Sequence, residues 1–276
     1  ESLGVFLGDL TIANDSIADI FCASYSSVAG SLTVTSVEDP TKLSCLTEVF
    51  GDLEVEQQPE WESFELPYLT KVHGYMSVQD DGPRDIRFPS LSEVGDWTNI
   101  QGDYLSLDMS GLTSAGSSLT VTSSGDGVSV DLSSVSGELG WLDIDIEGAG
   151  SVDLSSATSM GEGEGVYIYI YGSGELDLSS VVSMSYATIR TKGDINLSSL
   201  VTADELSIRM YDAGELALGA LQSLERYASI YTDGAIALPS LETVNQFSIR
   251  MYGTGALDMS ALETVDYGYI RTKGAI

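Results

Sequence analysis

Phe247-Ser248-Ile249-Arg250-Met251-Tyr252 alternates apolar and polar positions, the pattern of a half-buried strand. Gly253-Thr254-Gly255 breaks it, and Ala256-Leu257-Asp258-Met259 alternates again. Ser260 to Val265 then leads round to the next strand. About 20 residues therefore hold two short strands and a third, looser side, with no room for a helix. The pattern recurs. Ser207-Ile208-Arg209-Met210-Tyr211 returns 41 residues later as Ser248-Ile249-Arg250-Met251-Tyr252, and Ile189-Arg190-Thr191-Lys192-Gly193 returns as Ile230-Tyr231-Thr232-Asp233-Gly234 and as Ile270-Arg271-Thr272-Lys273-Gly274. The two series interleave, so the unit is about half that interval. Such a period marks a solenoid, in which each coil buries its apolar face only by stacking on its neighbours. The expected fold is all-β, a right-handed β-solenoid (β-helix) of about 20-residue coils with a short N-terminal capping helix.

The register predicts two inward ladders: Ile168, Ile189, Ile208, Ile230, Ile249 and Ile270 in one, and Leu178, Leu197, Leu218, Leu238 and Met259 in the other. Leu3 to Ile12 reads as a first strand. Asn14-Asp15-Ser16 ahead of Ile17 to Ala23 reads as a capped helical turn, with Asp15 or Ser16 at the N-cap and residues 17, 20 and 21 as its apolar face. The expected layout is a cap and first strand over 1–29 and coils over 30–276, with the coils expected to continue beyond 276 in the full protein. Corners rich in serine and glycine, such as 122–127 and 161–165, separate the middle coils, and no linker divides the chain.

Composition narrows function. Forty-two acidic residues against 11 basic ones give a formal charge of −31, which excludes nucleic acid as a default partner and argues against an anionic membrane surface. No apolar run reaches the length of a membrane span. Cys22 and Cys45 are 23 residues apart, about one coil, so they either stack as a disulfide, which places the protein outside a reducing cytosol, or remain two buried thiols.

The stretches Gly30-Ser31-Leu32-Thr33-Val34, Leu46-Thr47-Glu48-Val49-Phe50-Gly51-Asp52-Leu53-Glu54-Val55 and Leu66-Pro67-Tyr68-Leu69-Thr70-Lys71-Val72-His73-Gly74 resemble the receptor L-domain. That family is the leucine-rich-repeat-like right-handed β-helix of growth-factor-receptor ectodomains and of surface proteins. Leu238-Pro239-Ser240-Leu241 and Phe88-Pro89-Ser90-Leu91 carry the same turn. The resemblance implies an N-terminal helix with a cysteine, and it brings no catalytic residues.

The sequence contains no assembled catalytic motif. His73 is the sole histidine and has no neighbouring nucleophile, so neither a Ser–His–Asp triad nor a zinc site is supplied. Paired carboxylates in a groove would make a polysaccharide-active enzyme, the remotest of three readings. Asp131, Asp153 and Asp177 recur in "Asp-Leu-Ser-Ser" turns, with Asn196 next in register. They either hold calcium, the one cofactor the sequence offers a place for, or accept hydrogen bonds from the backbone at a corner. Asn14 and Asn196 head glycosylation sequons.

One face concentrates chemistry. Outward neighbours of the isoleucine ladder are Tyr169, Arg190, Arg209, Tyr231, Arg250 and Arg271; two positions on lie Tyr171, Lys192, Tyr211, Asp233, Tyr252 and Lys273. Six of the 11 bases gather there. Rings stack on sugars or side chains, and guanidinium forks grip carboxylate or sulfate; alternatively each arginine simply stacks on a tyrosine of the next coil. The expectation is an extracellular or cell-surface, non-enzymatic adhesion scaffold whose partner is a protein, an anionic glycan or another copy of itself. The rival is a structural subunit of a filament, sheath or appendage, in which the acidic Asp143, Asp145 and Glu147 of one copy meet this face of another.

Overall fold

The structure is a computed structural model that describes residues 3–56, 61–80, 85–212 and 214–274. The expectation that the coils continue past residue 276 lies outside these residues. The chain is a parallel β-solenoid of about 12 turns. It packs as two compact units, Glu1–Val135 and Ser136–Ile276.

In the first unit each coil presents three β faces. Strands Tyr25–Val28, Glu48–Val49, Lys71–Val72 and Glu93–Val94 pair in parallel on one. On the second, Leu10, Leu32, Leu53 and Met76 share a register, as do Ile12, Val34, Val55 and Val78 two positions on. All but the half-buried Leu10 are buried, so the period-2 pattern read from the chain is the pattern of burial. The third face pairs Ser63–Glu65 with Asp85–Arg87 and then Ser106–Asp108. Between the third and first faces the chain turns through Leu66-Pro67-Tyr68-Leu69, where Leu69 donates its N–H to the Leu66 carbonyl at 3.3 Å, and both leucines are buried. Phe88–Leu91 makes the same turn. Gly30, Gly51 and Gly74 stack at another corner, each donating its N–H to the glycine carbonyl one coil earlier at 3.0–3.2 Å.

Residues Leu3–Ile12 form two short strands, Gly4–Phe6 and Leu10–Ile12, because Gly8 adopts φ +104° between them. Helix α1 (Asp15–Cys22) follows. Its N-cap is Asn14, one residue earlier than expected: the Asn14 side chain accepts from the Ile17 N–H at 3.1 Å. That frees Asp15 to accept from the N–H groups of Glu38 (2.7 Å) and Asp39 (3.2 Å) on the next coil. Ala18 and Phe21 are the buried face, while Ile20, expected there, is 70% exposed. Lys42 bridges to Asp19 at 2.6 Å, and Cys22 faces Cys45 with Cα atoms 5.5 Å apart, a disulfide-capable pair. The helix is thus tied to the following coil by charge, backbone hydrogen bonds and sulfur.

The second unit departs from the predicted coil. The side read as loose is strand, continuous with the main face: Ser183–Thr191, Thr202–Met210, Ser223–Thr232 and Thr243–Met251 each run nine or ten residues. The stretch 161–165, read as a corner, lies within the strand Ala157–Ile170, and the register slips there between Met160 and Val166. Glycines can therefore mark a bulge inside a strand as well as a corner. Ile144, Ile168, Ile189, Ile208, Ile230, Ile249 and Ile270 are in register. From Ile168 onward the interval alternates, at 21, 19, 22, 19 and 21 residues. All are buried except Ile270, 37% exposed in the last described coil. The second ladder holds Leu178, Leu197, Leu218 and Leu238 fully inside, with Met259 only half-buried.

At one corner of this unit the backbones of successive coils nearly touch. A Cβ added to Gly193 would lie 1.7 Å from the Gly174 carbonyl oxygen, and one added to Gly174 would lie 1.7 Å from that of Gly150. Beside it, Thr191 is buried and its hydroxyl accepts from the Gly193 N–H at 2.9 Å, a bond repeated by Thr232 with Gly234 and by Thr272 with Gly274.

Candidate functional site: an arginine–tyrosine face

Strand alternation turns the residue after each isoleucine outward, and parallel pairing stacks these residues. The result is one column: Asp145, Tyr169, Arg190, Arg209, Tyr231, Arg250 and Arg271. The column brings Arg190 beside Arg209 and Arg250 beside Arg271, like charges one coil apart, which is unfavourable unless the side chains part. They do part where ring contacts define them. Arg190 lies over Tyr169 at 5.2 Å, whereas Arg209 turns the other way, over Tyr231 at 4.9 Å. Arg250 also lies over Tyr231, at 5.1 Å, and over Tyr269 at 5.5 Å. Tyr231 therefore has a guanidinium from the coil on each side, and each such contact contributes about 0.5–1 kcal/mol at an exposed site.

The second outward column, Tyr171, Lys192, Tyr211, Asp233, Tyr252 and Lys273, lies two residues on and is exposed or partly so throughout. Tyr171, Tyr211 and Tyr252 are 47%, 49% and 45% exposed. Between the two columns a pocket of about 550 Å³ is lined by Arg209, Met210, Tyr211, Tyr231, Asp233, Arg250 and Tyr252. A smaller one of about 280 Å³ lies on the other side of Arg250, against Ser248, Tyr267 and Tyr269. Among the described residues, no ion pair involves Arg190, Arg209 or Arg250. The Arg250 Nε is buried and has no hydrogen-bond partner. Tyrosine rings thus hold these guanidinium groups in place without using their hydrogen-bonding edges.

Sequence reading missed the aromatic stripe that precedes the isoleucine ladder. Trp141 packs against Tyr167 (5.1 Å between ring centres), and Tyr167 against Tyr186 (5.8 Å). Beside it stand Asp143 and Asp145. Burial raises both carboxyl groups above the ordinary range, and for Asp145 the charges of Asp143 and Glu147 add to it. Tyr169 is likewise raised by burial, which Arg190 partly offsets. The available signal was an aromatic residue shortly before the isoleucine: Trp141 and Tyr186 three positions ahead of Ile144 and Ile189, and Tyr167 one position ahead of Ile168. It was overlooked because the segment leading into each isoleucine was assigned to a loose side rather than to strand.

The other candidates are dispersed. Asp131, Asp153 and Asp177 each accept the N–H of the serine two residues on, at 3.0, 2.9 and 2.9 Å, and Asn196 accepts that of Ser198 at 3.3 Å. These carboxylates shape the corner turn, and among the described residues no group of three metal-ligating side chains converges. His73 stacks on Phe50 (4.7 Å) with its Nε2 2.8 Å from Glu48 Oε1. Elsewhere in the first unit Tyr75 stacks on Trp97 at 4.3 Å and donates its hydroxyl to Glu54, which pushes the phenol up to about 12. No described helix is long and apolar enough to cross a membrane.

The chain matches no protein-family model, no curated protein and no solved structure.

Proposed function

We propose that this protein is an extracellular, non-enzymatic binding scaffold that presents the arginine–tyrosine face to an acidic partner. The observation that carries this reading is the pair Arg209 and Arg250, each stacked on Tyr231 and each without a carboxylate partner among the described residues. A guanidinium whose flat face is occupied keeps its N–H edge free for carboxylate or sulfate. In a chain of formal charge −31, six of the 11 bases lie on this one face, so it differs from the rest of the surface in the sign of charge it offers an acidic partner. The receptor L-domain resemblance belongs to this reading as well: the Leu66–Leu69 and Phe88–Leu91 turns are its motif, and they suit a surface protein whose solenoid faces bind ligands. An outer location is also consistent with the Cys22–Cys45 pair.

The test replaces Arg209 and Arg250 with Ser and measures retention on carboxylated and sulfated polysaccharide and on acidic protein across a salt series. Folding should be unchanged, while retention and its salt dependence should fall. Equal retention of variant and parent would remove the proposal.

A second reading, the structural subunit, is favoured by one observation: the column that carries Arg190, Arg209 and Arg250 begins at Asp145. Two copies laid face to face in opposite directions would set acid against base. Light scattering decides it, since an assembly through this face should dissociate in the Arg209/Arg250 variant, and a monomer at high concentration excludes it.

A further inference from the structure

The second unit repeats its core every coil, but the tyrosines of its outer exposed column return every two coils. Tyrosine occupies the outer column at 171, 211 and 252, and the intervening coils place Lys192 and Asp233 there. At about 4.8 Å per coil, successive tyrosines are about 9.6 Å apart along the stacking direction. That interval is close to the disaccharide repeat of an extended polysaccharide, which shows the same ring face every second sugar. The pocket between Tyr211 and Tyr252 also contains the three kinds of group an acidic sugar chain needs. The two exposed rings offer stacking platforms, Asp233 accepts hydrogen bonds from sugar hydroxyls, and Arg209 and Arg250 face the space without an ion-pair partner. An acidic protein segment does not share this spacing, because an extended peptide repeats its side chains about every 6.8 Å.

Resting on the binding role proposed above, we infer that the ligand is a linear acidic polysaccharide lying along the stacking direction, one disaccharide for every two coils. Its carboxylate or sulfate sits between Arg209 and Arg250, and its alternate sugar rings rest on Tyr171, Tyr211 and Tyr252. The affinity then comes from repetition of weak, equivalent contacts, as expected for stacking platforms in series.

The test uses the full chain and calorimetry with uronic acid oligosaccharides of two, four and six residues, the sulfated oligosaccharides of equal length, and neutral oligosaccharides of the same backbone. Affinity should rise about tenfold or more with each added disaccharide, and the better of the two acidic series identifies the anionic group. Tyr211→Ala and Tyr252→Ala, both on exposed positions, should weaken the six-residue ligand to about the affinity of the four-residue one. Thermal melts matching the parent confirm folding. Affinity that does not grow beyond two residues, or tyrosine variants that bind like the parent, overturns the inference while leaving arginine-dependent binding intact. Arginine-dependent binding of acidic protein alone, with no oligosaccharide bound, overturns it too. Absence of any arginine-dependent binding overturns the broader reading along with it.

Discussion

Gly193 approaches Gly174 so closely that a methyl group on it would sit 1.7 Å from the Gly174 carbonyl oxygen. That oxygen belongs to the backbone of the adjacent coil, so it cannot swing aside as a flexible side chain would. Gly193→Ala should therefore force the two coils apart and cost about 1–3 kcal/mol or more. Gly219, where nothing lies within 4 Å of an added Cβ, is the control, and Gly219→Ala should change stability little. Chemical denaturation of the two variants provides the comparison.

The isoleucine ladder makes a graded prediction. Ile208 is fully buried between coils, so Ile208→Ala should cost about 2–5 kcal/mol. Ile270, 37% exposed, should lose less than about half as much. Equal losses at the two positions would mean that burial does not follow the register.

The cap should respond to reductant. With Cys22 and Cys45 paired across 23 residues, the chain-entropy argument assigns the bridge about 2–4 kcal/mol. Because solenoid stability is a sum of neighbour terms, Cys22→Ser should speed hydrogen exchange in residues 10–56 and leave residues 183–251 as they were. Intact-mass measurement after alkylation of the native protein checks the pairing itself.

Acid should stabilise one part of the face. Burial raises the Asp143 and Asp145 carboxyl groups in the folded chain, so over the window from their unfolded value upward the folded state binds more protons. Stability contributed by these groups is then present at low pH and lost as pH rises through that window. Asp145→Asn should raise the melting temperature at pH 7, and the gain should shrink as pH falls below the ordinary carboxylate range.

How much of this was legible in the chain depended on how strictly each position repeats. The ladders were readable because a buried position in stacked parallel strands tolerates few residue types, so isoleucine returns at 168, 189, 208, 230 and 249. The outward arginines and tyrosines followed from alternation alone. The bulge at 161–165 was not readable, since a run of glycines looks the same whether it bends a strand or ends one. Nor was the leaning of Arg190 and Arg209 toward different tyrosines, which depends on side-chain torsions that register does not set. At α1, Asn14, Asp15 and Ser16 are all good caps, and the choice fell to Asn14 because Asp15 is engaged by the next coil.

The alternating interval of 19 and 21–22 residues has a consequence for how such a chain can lengthen or shorten. Removing the single coil that carries Ile230 would leave the isoleucine ladder unbroken, so the fold would accept the loss. It would also remove Tyr231 and set Arg209 directly beside Arg250, with no ring between the two charges. Removing two coils together, the 41 residues from Ser207 to Phe247, would join Leu206 to Ser248 and keep the ladder and the alternation of tyrosine in the outer column, Tyr171, Lys192, Tyr252 and Lys273. It too would remove Tyr231, and it would set Arg190, Arg250 and Arg271 in a row. Architecture here tolerates change in steps of one coil, whereas the outer column from Tyr171 to Lys273 keeps its tyrosine alternation only in even steps and the inner column from Tyr169 to Arg271, which runs tyrosine, arginine, arginine, keeps its order only in steps of three.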